Sequence, residues 1–323
     1  MAQTPTGGWG NYVNWGFESS FGAGAVSART FGQGVKLSID RSNNLERIYS
    51  VGSRNASATV AKKYEGSATA EFILSNATFL RAVLGAVADA GAGPYTHTYT
   101  EANTLPSFAI DTGAELGTTD EVVELKGCIV KTCMISAVVD EVVRVKLDLL
   151  YNNETLATSG IGSQVAETFE PFMFAQGFLE IPDGTTLAYI QNFELTIDNS
   201  VEFIWGLGSR FATAQVAKQR AYNFRMTVVA SDPQIYLQTF YGASGGPHTS
   251  TPAAKATLVL NFTNGLTSTN ERSIIMTFAN AYYETHGQVK DINEVYKEEV
   301  VGHALSCTSI VWTNNTAADN ATP

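Results

Sequence analysis

The chain has 323 residues, enough for about two domains that each bury a core of their own. Only 16% of its residues are charged, compared with about 25% in an average soluble domain, which indicates that other chains cover much of the surface. The net charge of −11 argues against a protein that grips a nucleic-acid backbone through clustered lysine and arginine.

The N-terminal arm, residues 1 to about 20, is rich in glycine and aromatic residues. Its aromatic side chains, Trp9 and Trp15 among them, are too many for a merely solvated tail, so we expect the arm to dock. It packs either on its own domain or on another chain, which makes Trp9 and Trp15 candidate inter-subunit contacts. Because Arg29 is the first basic residue, we expect no signal peptide.

Residues 45–62 (LERIYSVGSRNASATVAK) recur as residues 201–218 (VEFIWGLGSRFATAQVAK), with 10 of the 18 positions identical. With a two-residue gap at Asn43 and Asn44, the match extends back to residues 37–40 and 195–198. A period near 157 residues is too long for a solenoid and is typical of a duplicated domain. We therefore predict two tandem homologous domains, residues 1–158 and 159–323, joined by the small-residue linker at residues 157–162.

Each copy of the repeat predicts a strand that ends at Gly-Ser-Arg, where glycine suits a turn with an unusual backbone angle. Basic residues follow at matching places in both copies. They are either solvated loop residues or contacts to an acidic neighbouring subunit. The candidate inter-subunit contacts of the repeat are Gly52, Ser53, Arg54, Lys62, Gly208, Ser209, Arg210 and Lys218.

One helix is predicted in each half. The first follows Ser75 and Asn76 and ends at Gly85, and the second has Ser231 as its N-cap and Pro233 at its first position. Alternating segments elsewhere predict strands, notably residues 128–136 with 142–151, and 256–262 with 273–283 and 300–312. Residues 290–299 form a short helix or a polar loop. The predicted fold is mainly β, with two sandwich or partial-barrel domains that carry one helix each.

Cys128, Cys133 and Cys307 cannot form a disulfide framework and are predicted to be reduced, structural thiols. Cys128 and Cys133 lie five positions apart on one strand, so we expect them to point to opposite faces. His303 and Cys307 lack the spacing of a zinc site, so no metal or cofactor is expected. No window approaches the 18 apolar residues of a membrane span, which predicts no membrane insertion.

Asp111, Thr112 and Gly113 resemble the catalytic turn of an aspartic protease, in which two aspartates share a proton. The duplication tests this idea, since both halves must supply an aspartate. The sequence comparison places Asn261 opposite Asp111, so the second carboxylate is missing. No nucleophile elbow or paired-carboxylate arrangement occurs elsewhere, and we predict that the chain is not an enzyme.

The Gly-Ser-Arg strand end, its Ala-x-Val-Ala-Lys continuation, the single helix of each strand-rich half and the duplication resemble a tail tube protein of tailed viruses. That resemblance implies strands that join neighbours into a wide barrel, stacked as rings around the passing genome. Because single-domain members form sixfold rings, it implies homotrimers with pseudo-sixfold symmetry for this chain.

The resemblance also implies tape measure, tail terminator and tail tip proteins as partners. It implies assembly in the host cytoplasm, location in the virion tail, and double-stranded DNA that crosses the lumen without specific binding. Because DNA must slide through, we expect the lumen to be net acidic. The alternative is an extracellular surface or adhesin sandwich, which would require a signal peptide.

Overall fold

The computed structural model describes residues 11–25, 27–114, 121–157, 165–181, 186–187, 189–229, 256–289 and 295–316. Antiparallel strands account for most of this chain, which confirms the predicted mainly-β, sandwich-like fold. We refer to residues 11–157 as the first half and residues 165–316 as the second half. The predicted domain boundary at residue 158 lies outside the described residues.

The described part of the first half contains eleven strands and one short helix. They are β1 (Asn11–Phe17), β2 (Gln33–Ser42), β3 (Leu45–Tyr49), β4 (Ala56–Ala61), β5 (Glu65–Ile73), α1 (Leu80–Leu84), β6 (Gly85–Gly91), β7 (Tyr95–Glu101), β8 (Phe108–Ala114), β9 (Glu121–Val138), β10 (Arg144–Tyr151) and β11 (Asn153–Ala157).

The described part of the second half contains eight strands and two single turns of 3-10 helix. The strands are β12 (Gly177–Glu180), β13 (Ile190–Asp198), β14 (Glu202–Trp205), β15 (Ala212–Val216), β16 (Ala221–Val229), β17 (Ala256–Thr263), β18 (Ser273–Val289) and β19 (Lys297–Asn314). The 3-10 turns span Phe174–Gln176 and Ser268–Asn270.

One open sheet runs through both halves in the order β12-β17-β18-β19-β16-β13-β9-β10-β5-β2, and β1 joins it through β8 and β9. Within the first half the neighbours are β1-β8-β9-β10-β5-β2, and within the second they are β12-β17-β18-β19-β16-β13. The same order of six strands therefore occurs twice. Two hairpins, β3–β4 and β14–β15, stand apart from this sheet as two-stranded ribbons.

The strands form where apolar and polar residues alternate, because successive side chains point to opposite faces of a sheet. In β10, Val145, Leu147 and Leu149 are buried, while Lys146 and Asp148 point to the other face. Most buried apolar side chains of both halves belong to one continuous hydrophobic cluster. At roughly 1.5–3 kcal/mol for each large apolar side chain, this burial is the main stabilising contribution.

Helix α1 follows Asn76 as predicted. The Asn76 side chain accepts hydrogen bonds from the main-chain N–H and the hydroxyl of Thr78, which orients the chain just before the helix. Leu80, Ala82, Val83 and Leu84 are buried, and Gly85 ends the helix. The helix predicted after Ser231 lies outside the described residues, as do residues 290–294 of the predicted insertion; Lys297 is already part of β19.

The N-terminal arm packs on its own half, which is one of the two alternatives left open by the sequence. Strand β1 pairs with β8, with Trp15 opposite Ile110. Trp15 is 0% exposed and its ring stacks on Phe31 at a centroid distance of 5.2 Å. Trp15 is therefore a core residue of its own half, which fits the first of these alternatives, and it exposes no surface to a neighbour. Trp9 lies outside the described residues.

The expectation that Cys128 and Cys133 point to opposite faces is wrong, since both are buried in the same hydrophobic cluster. The pairing of β9 with β10 shifts between Asp148 and Leu149, which leaves Lys131 as an extra residue in β9. Such a bulge changes the alternation by one position. Because the extra residue lies between them, Cys128 and Cys133 are on the same face of the sheet although they are five positions apart.

We predict that all three thiols are inert in the folded chain. Burial raises the pKa values of Cys128 and Cys133 and, together with the nearby Glu101 carboxylate, raises the pKa of Cys307 to about 12. Because the thiolate is the reactive form, a disulfide reagent at pH 8 is expected to label essentially none of them. Labelling in denaturant should reveal three thiols. Rapid labelling of the native chain would contradict this prediction.

Candidate assembly surfaces

The two halves join through two strand pairings, one between β7 and the end of β19 and the other between β9 and β13. Strand β13 of the second half pairs antiparallel with the end of β9 in the first half, from Asp198 opposite Thr132 to Asn192 opposite Val138. The main chain on this side of β9 is thus paired with β8 at one end and with β13 at the other. The junction is an example of one half adding a strand to the free edge of the next half.

The strand pairings repeat between the halves in detail. Ser42 pairs with Glu65 and Asp198 with Ala221, so each pairing joins residues 23 positions apart. This register aligns Ser42 with Asp198 without the gap placed at Asn43 and Asn44 in the sequence comparison. The pair β9–β10 matches the pair β18–β19 in the same way. Thr132 is opposite Asp148 and Thr285 is opposite Val301, and both pairings join residues 16 positions apart.

Bulges also occur at matching places. The register shift between Asp148 and Leu149 in the first half corresponds to the shift between Tyr283 and Thr285 in the second. In the second half, Glu284 is therefore the extra residue, as Lys131 is in the first. A bulge changes the local twist of a strand and the direction of its side chains. Because β9 and β18 carry their bulges at matching positions, their edges have similar backbone geometry.

The two hairpins share their turn chemistry. At the base, Asn44 and Ser200 have φ values of 44° and 46°. At the tip, Gly52 and Gly208 have φ values of 88° and 93°, a region that glycine adopts without steric cost. This conformation accounts for the repeated Gly-Ser-Arg motif that the sequence singled out.

Hairpin β14–β15 packs against the first half. Its Val201 and Phe203 are only 5% and 6% exposed and contact Ile129 and Leu105 in a second hydrophobic cluster. The Gln215 side-chain amide donates a hydrogen bond of 3.0 Å to the main-chain oxygen of Leu105. This hairpin is therefore an arm of the second half that is seated on the first.

The tip of hairpin β14–β15 hydrogen-bonds to the base of hairpin β3–β4. Arg210 donates from Nε to the main-chain oxygen of Lys62 at 2.8 Å and from Nη2 to the Asn43 side chain at 3.0 Å. The Tyr64 main-chain N–H donates to the Arg210 oxygen at 2.8 Å. The candidate contacts Arg210 and Lys62 thus meet each other within one chain, while Lys218 pairs with Glu202 inside its own hairpin.

Hairpin β3–β4 has no such seat among the described residues. All of its residues are exposed, with Leu45 at 63% and Tyr49 at 60%. Lys62 forms an ion pair with Glu46 across the base, and Ser53 hydrogen-bonds within the tip. The hairpin places Gly52, Ser53 and Arg54 at its solvent-exposed end, as hairpin β14–β15 does with Gly208, Ser209 and Arg210.

Several strand edges remain open within the described residues of a single chain, those of β6, β11 and β12 among them, and two others match the internal junction. Strand β2 is the last strand of the sheet and pairs with β5 alone. Strand β18 pairs with β17 only as far as Ala281, so its segment from Thr285 to Val289 is bonded to β19 on one side. Unpaired N–H and C=O groups along an edge are a ready template for another strand.

One polar face runs across the central strands of both halves, and hairpin β14–β15 covers it at the Leu150 end of β10. The pairs Lys36–Glu71, Lys146–Asp148 and Arg225–Glu299 lie 3.7, 3.8 and 3.5 Å apart on it. The charged residues of this face are the carboxylates Asp40, Glu65, Glu71, Asp148, Glu194, Asp198 and Glu299, and the cations Lys36, Lys131, Arg144, Lys146, Arg225 and Lys297.

Sequence reasoning missed a buried carboxylate that anchors the first loop. Glu18 is 6% exposed, and its carboxylate accepts hydrogen bonds from the main-chain N–H groups of Gly22, Gly24 and Gly127 at 2.9, 3.1 and 2.9 Å. Its three partners come from a nearby turn and from β9, which no local motif connects. A lone glutamate beside several glycines is too common to be singled out in the sequence.

Asp111 is buried on β8 opposite Asn14 and Glu124. The registers of β8 and β17 align it with Val259 and not with Asn261, because Ile110 and Leu258 both follow a register shift. The residue at the matching place is therefore apolar, which leaves Asp111 without the second aspartate of a protease.

The described residues contain no group of three or more histidine, cysteine, aspartate or glutamate side chains placed to hold a metal ion. No helix in this part of the chain is long and apolar enough to cross a membrane. The features that remain are strand edges, hairpins and a polar face, all of which are suited to contacts with other chains.

Comparison with known proteins identifies a family. A family model described as phage tail tube protein matches residues 8–304, which cover the first half and all of the second half except residues 305–316. No curated protein matches the chain.

Proposed function

Because the chain belongs to the phage tail tube protein family, we propose that it is the major tail tube subunit and that three copies close into one ring. The chain is a structural component of the virion tail and not an enzyme. In the proposal, rings stack into a conduit through which the double-stranded genome leaves the particle. Tape measure, terminator and tip proteins contact the tube, which is assembled in the host cytoplasm.

The observation that carries this proposal is the pairing of β13 with β9, together with the open edges of β2 and β18. Within the chain, the second half adds β13 to the edge of β9. By the matching registers, β2 corresponds to β13 and β18 corresponds to β9. The first half of one copy can therefore add β2 to the open end of β18 in the next copy.

Such a contact repeats the internal junction between β13 and β9. Each chain then offers β2 to one neighbour and receives the β2 of the other neighbour at the open end of β18. Head-to-tail contacts of this kind close into rings when their rotation divides a full turn. Closure also pairs both exposed edges, which would otherwise favour aggregation. The sixfold rings implied for single-domain relatives then require three chains, with the two halves as six similar units.

The polar face is the surface that we assign to the lumen. It extends over β2, β5, β10, β9, β13, β16 and β19, and ring closure would continue it from chain to chain. Its seven carboxylates exceed its six cations by one, a smaller acidic excess than the net charge of −11 suggests. Cations held in ion pairs with carboxylates are less available to phosphates, which favours free passage of DNA.

The test is a disulfide across the proposed joint. The internal pair Asp198 and Thr132 corresponds to Ser42 of one copy and Thr285 of the next. Directly opposite residues in antiparallel strands have Cα atoms about 4.5–5.5 Å apart, within disulfide range. The variant Ser42→Cys with Thr285→Cys is expected to oxidise into closed, covalent trimers, since the native thiols are buried.

The matched control is Ser42→Cys with Gly287→Cys, which moves the second thiol two positions along the same edge. It should cross-link much more slowly. Rings should show six similar units by rotational averaging in electron micrographs. A cross-link within one chain, rings of six chains, or equal yields from both variants would contradict the proposal.

A further inference from the structure

We propose that hairpin β3–β4 is an intermolecular arm that seats on the second half of the next copy, with Arg47 facing Tyr282, Glu284 and His303. The inference rests on the ring proposed above and identifies a contact beyond the strand edges. Its occupant is a second copy of this chain. The evidence is the seated hairpin β14–β15, which shows how the same structure docks on the half beside it.

The seated hairpin defines which face of the arm is buried. In β14, the buried residues Val201 and Phe203 and the partly buried Trp205 face the first half. The positions 156 residues earlier are Leu45, Arg47 and Tyr49. The strand pairing of the two hairpins supports this alignment, since Trp205 pairs with Ala212 and Tyr49 with Ala56 after equivalent register shifts. Leu45, Arg47 and Tyr49 therefore form the docking face of hairpin β3–β4.

The same comparison locates the receiving surface. Hairpin β14–β15 rests on Ile129 and Leu150, which are opposite each other in β9 and β10. The corresponding pair in β18 and β19 is Tyr282 and His303. Their rings stack at a centroid distance of 5.5 Å, both remain partly exposed, and Leu305 beside them is 56% exposed.

The chemistry of the two surfaces changes together. In the internal contact, apolar Phe203 meets apolar Ile129 and Leu105. In the proposed contact, Arg47 replaces the phenylalanine and meets two aromatic rings. The carboxylate of Glu284, the extra residue of the β18 bulge, accepts a hydrogen bond from Nδ1 of His303 at 2.7 Å and supplies the opposite charge. A guanidinium over an aromatic ring and beside a carboxylate is a favourable arrangement.

The tip makes a second contact in the same geometry. Arg210 donates to the main-chain oxygen of Lys62, and the corresponding pair is Arg54 of one copy and the main-chain oxygen of Lys218 in the next. Arg47 and Arg54 form no ion pair within the described part of the chain. Arg47 in β3 and Arg54 at the tip of the hairpin are both exposed. Seating the arm on a neighbour would give both guanidinium groups a partner.

The experiment is a charge exchange measured by ring formation. Arg47→Glu alone and Glu284→Arg alone are each expected to raise the protein concentration needed for assembly at least tenfold. The variant with both changes should return to within about threefold of the wild type, because the pair is restored in reverse. Thermal unfolding of the dissociated subunit should stay unchanged, since both side chains are exposed.

A second pair of variants separates the arm from its internal counterpart. Arg54→Ala should weaken assembly and leave subunit unfolding unchanged, whereas Arg210→Ala should lower the subunit's unfolding temperature. If wild-type protein forms no rings, the proposed function fails. If rings form and Arg47→Glu assembles at the wild-type concentration, or if the double variant is no better than the single ones, the arm is refuted while the ring stands.

Discussion

Replacing Glu18 with alanine is expected to lower the free energy of unfolding by about 3–5 kcal/mol. The carboxylate is buried and accepts three main-chain hydrogen bonds, from Gly22, Gly24 and Gly127. Alanine would leave all three N–H groups without their acceptor in a site that water reaches poorly. Hydrogen bonds to a charged acceptor are about twice as strong as neutral ones, so the loss is large for a single side chain.

The loss should be measured by denaturant unfolding of the dissociated subunit. Glu18→Gln retains one carbonyl oxygen and is expected to lose less than the alanine variant. The control is Glu71→Ala, which removes an exposed carboxylate whose surface ion pair with Lys36 is worth about 0–1 kcal/mol. Equal stabilities for the Glu18 and Glu71 variants would show that the glycine N–H groups find other acceptors.

Much of the strand pattern follows from local sequence. Alternation in β10 and the apolar residues before Gly85 predict a strand and a helix because each depends on neighbouring residues only. The repeated Gly-Ser-Arg segment correctly marks a turn in both halves, where Gly52 and Gly208 have positive φ. These features need no knowledge of which strands become neighbours.

The remaining features depend on contacts between distant segments. A single extra residue, Lys131, places Cys128 and Cys133 on one face, and only the partner strand shows that it is extra. Trp15 is buried because β1 pairs with β8, nearly a hundred residues away. Likewise, Arg54 and Arg210 stand in the same sequence motif. Only the fold shows that Arg210 hydrogen-bonds to the base of the other hairpin, whereas Arg54 lies at the tip of a hairpin that is exposed throughout.

Shortening the two hairpins equally is expected to separate assembly from stability. Replacing residues 48–58 with Asn-Gly joins Arg47 to Thr59, and replacing residues 204–214 with Asn-Gly joins Phe203 to Gln215. Asn-Gly favours the tight turn of a two-residue hairpin. Each variant removes the same eleven positions, so chain length and turn chemistry are matched.

Loss of residues 48–58 should abolish ring formation at concentrations where the wild type assembles, with unfolding of the dissociated subunit unchanged, because every removed residue in β3 and β4 is exposed. Loss of residues 204–214 should instead lower the free energy of unfolding by about 2–4 kcal/mol. That segment contains partly buried Trp205, Ala212 and the Arg210 contact to Lys62. The two hairpins have the same internal bonds, so a difference between the variants must come from what each one touches. Unchanged ring formation in the first variant would mean that its exposed apolar residues contact no neighbouring chain.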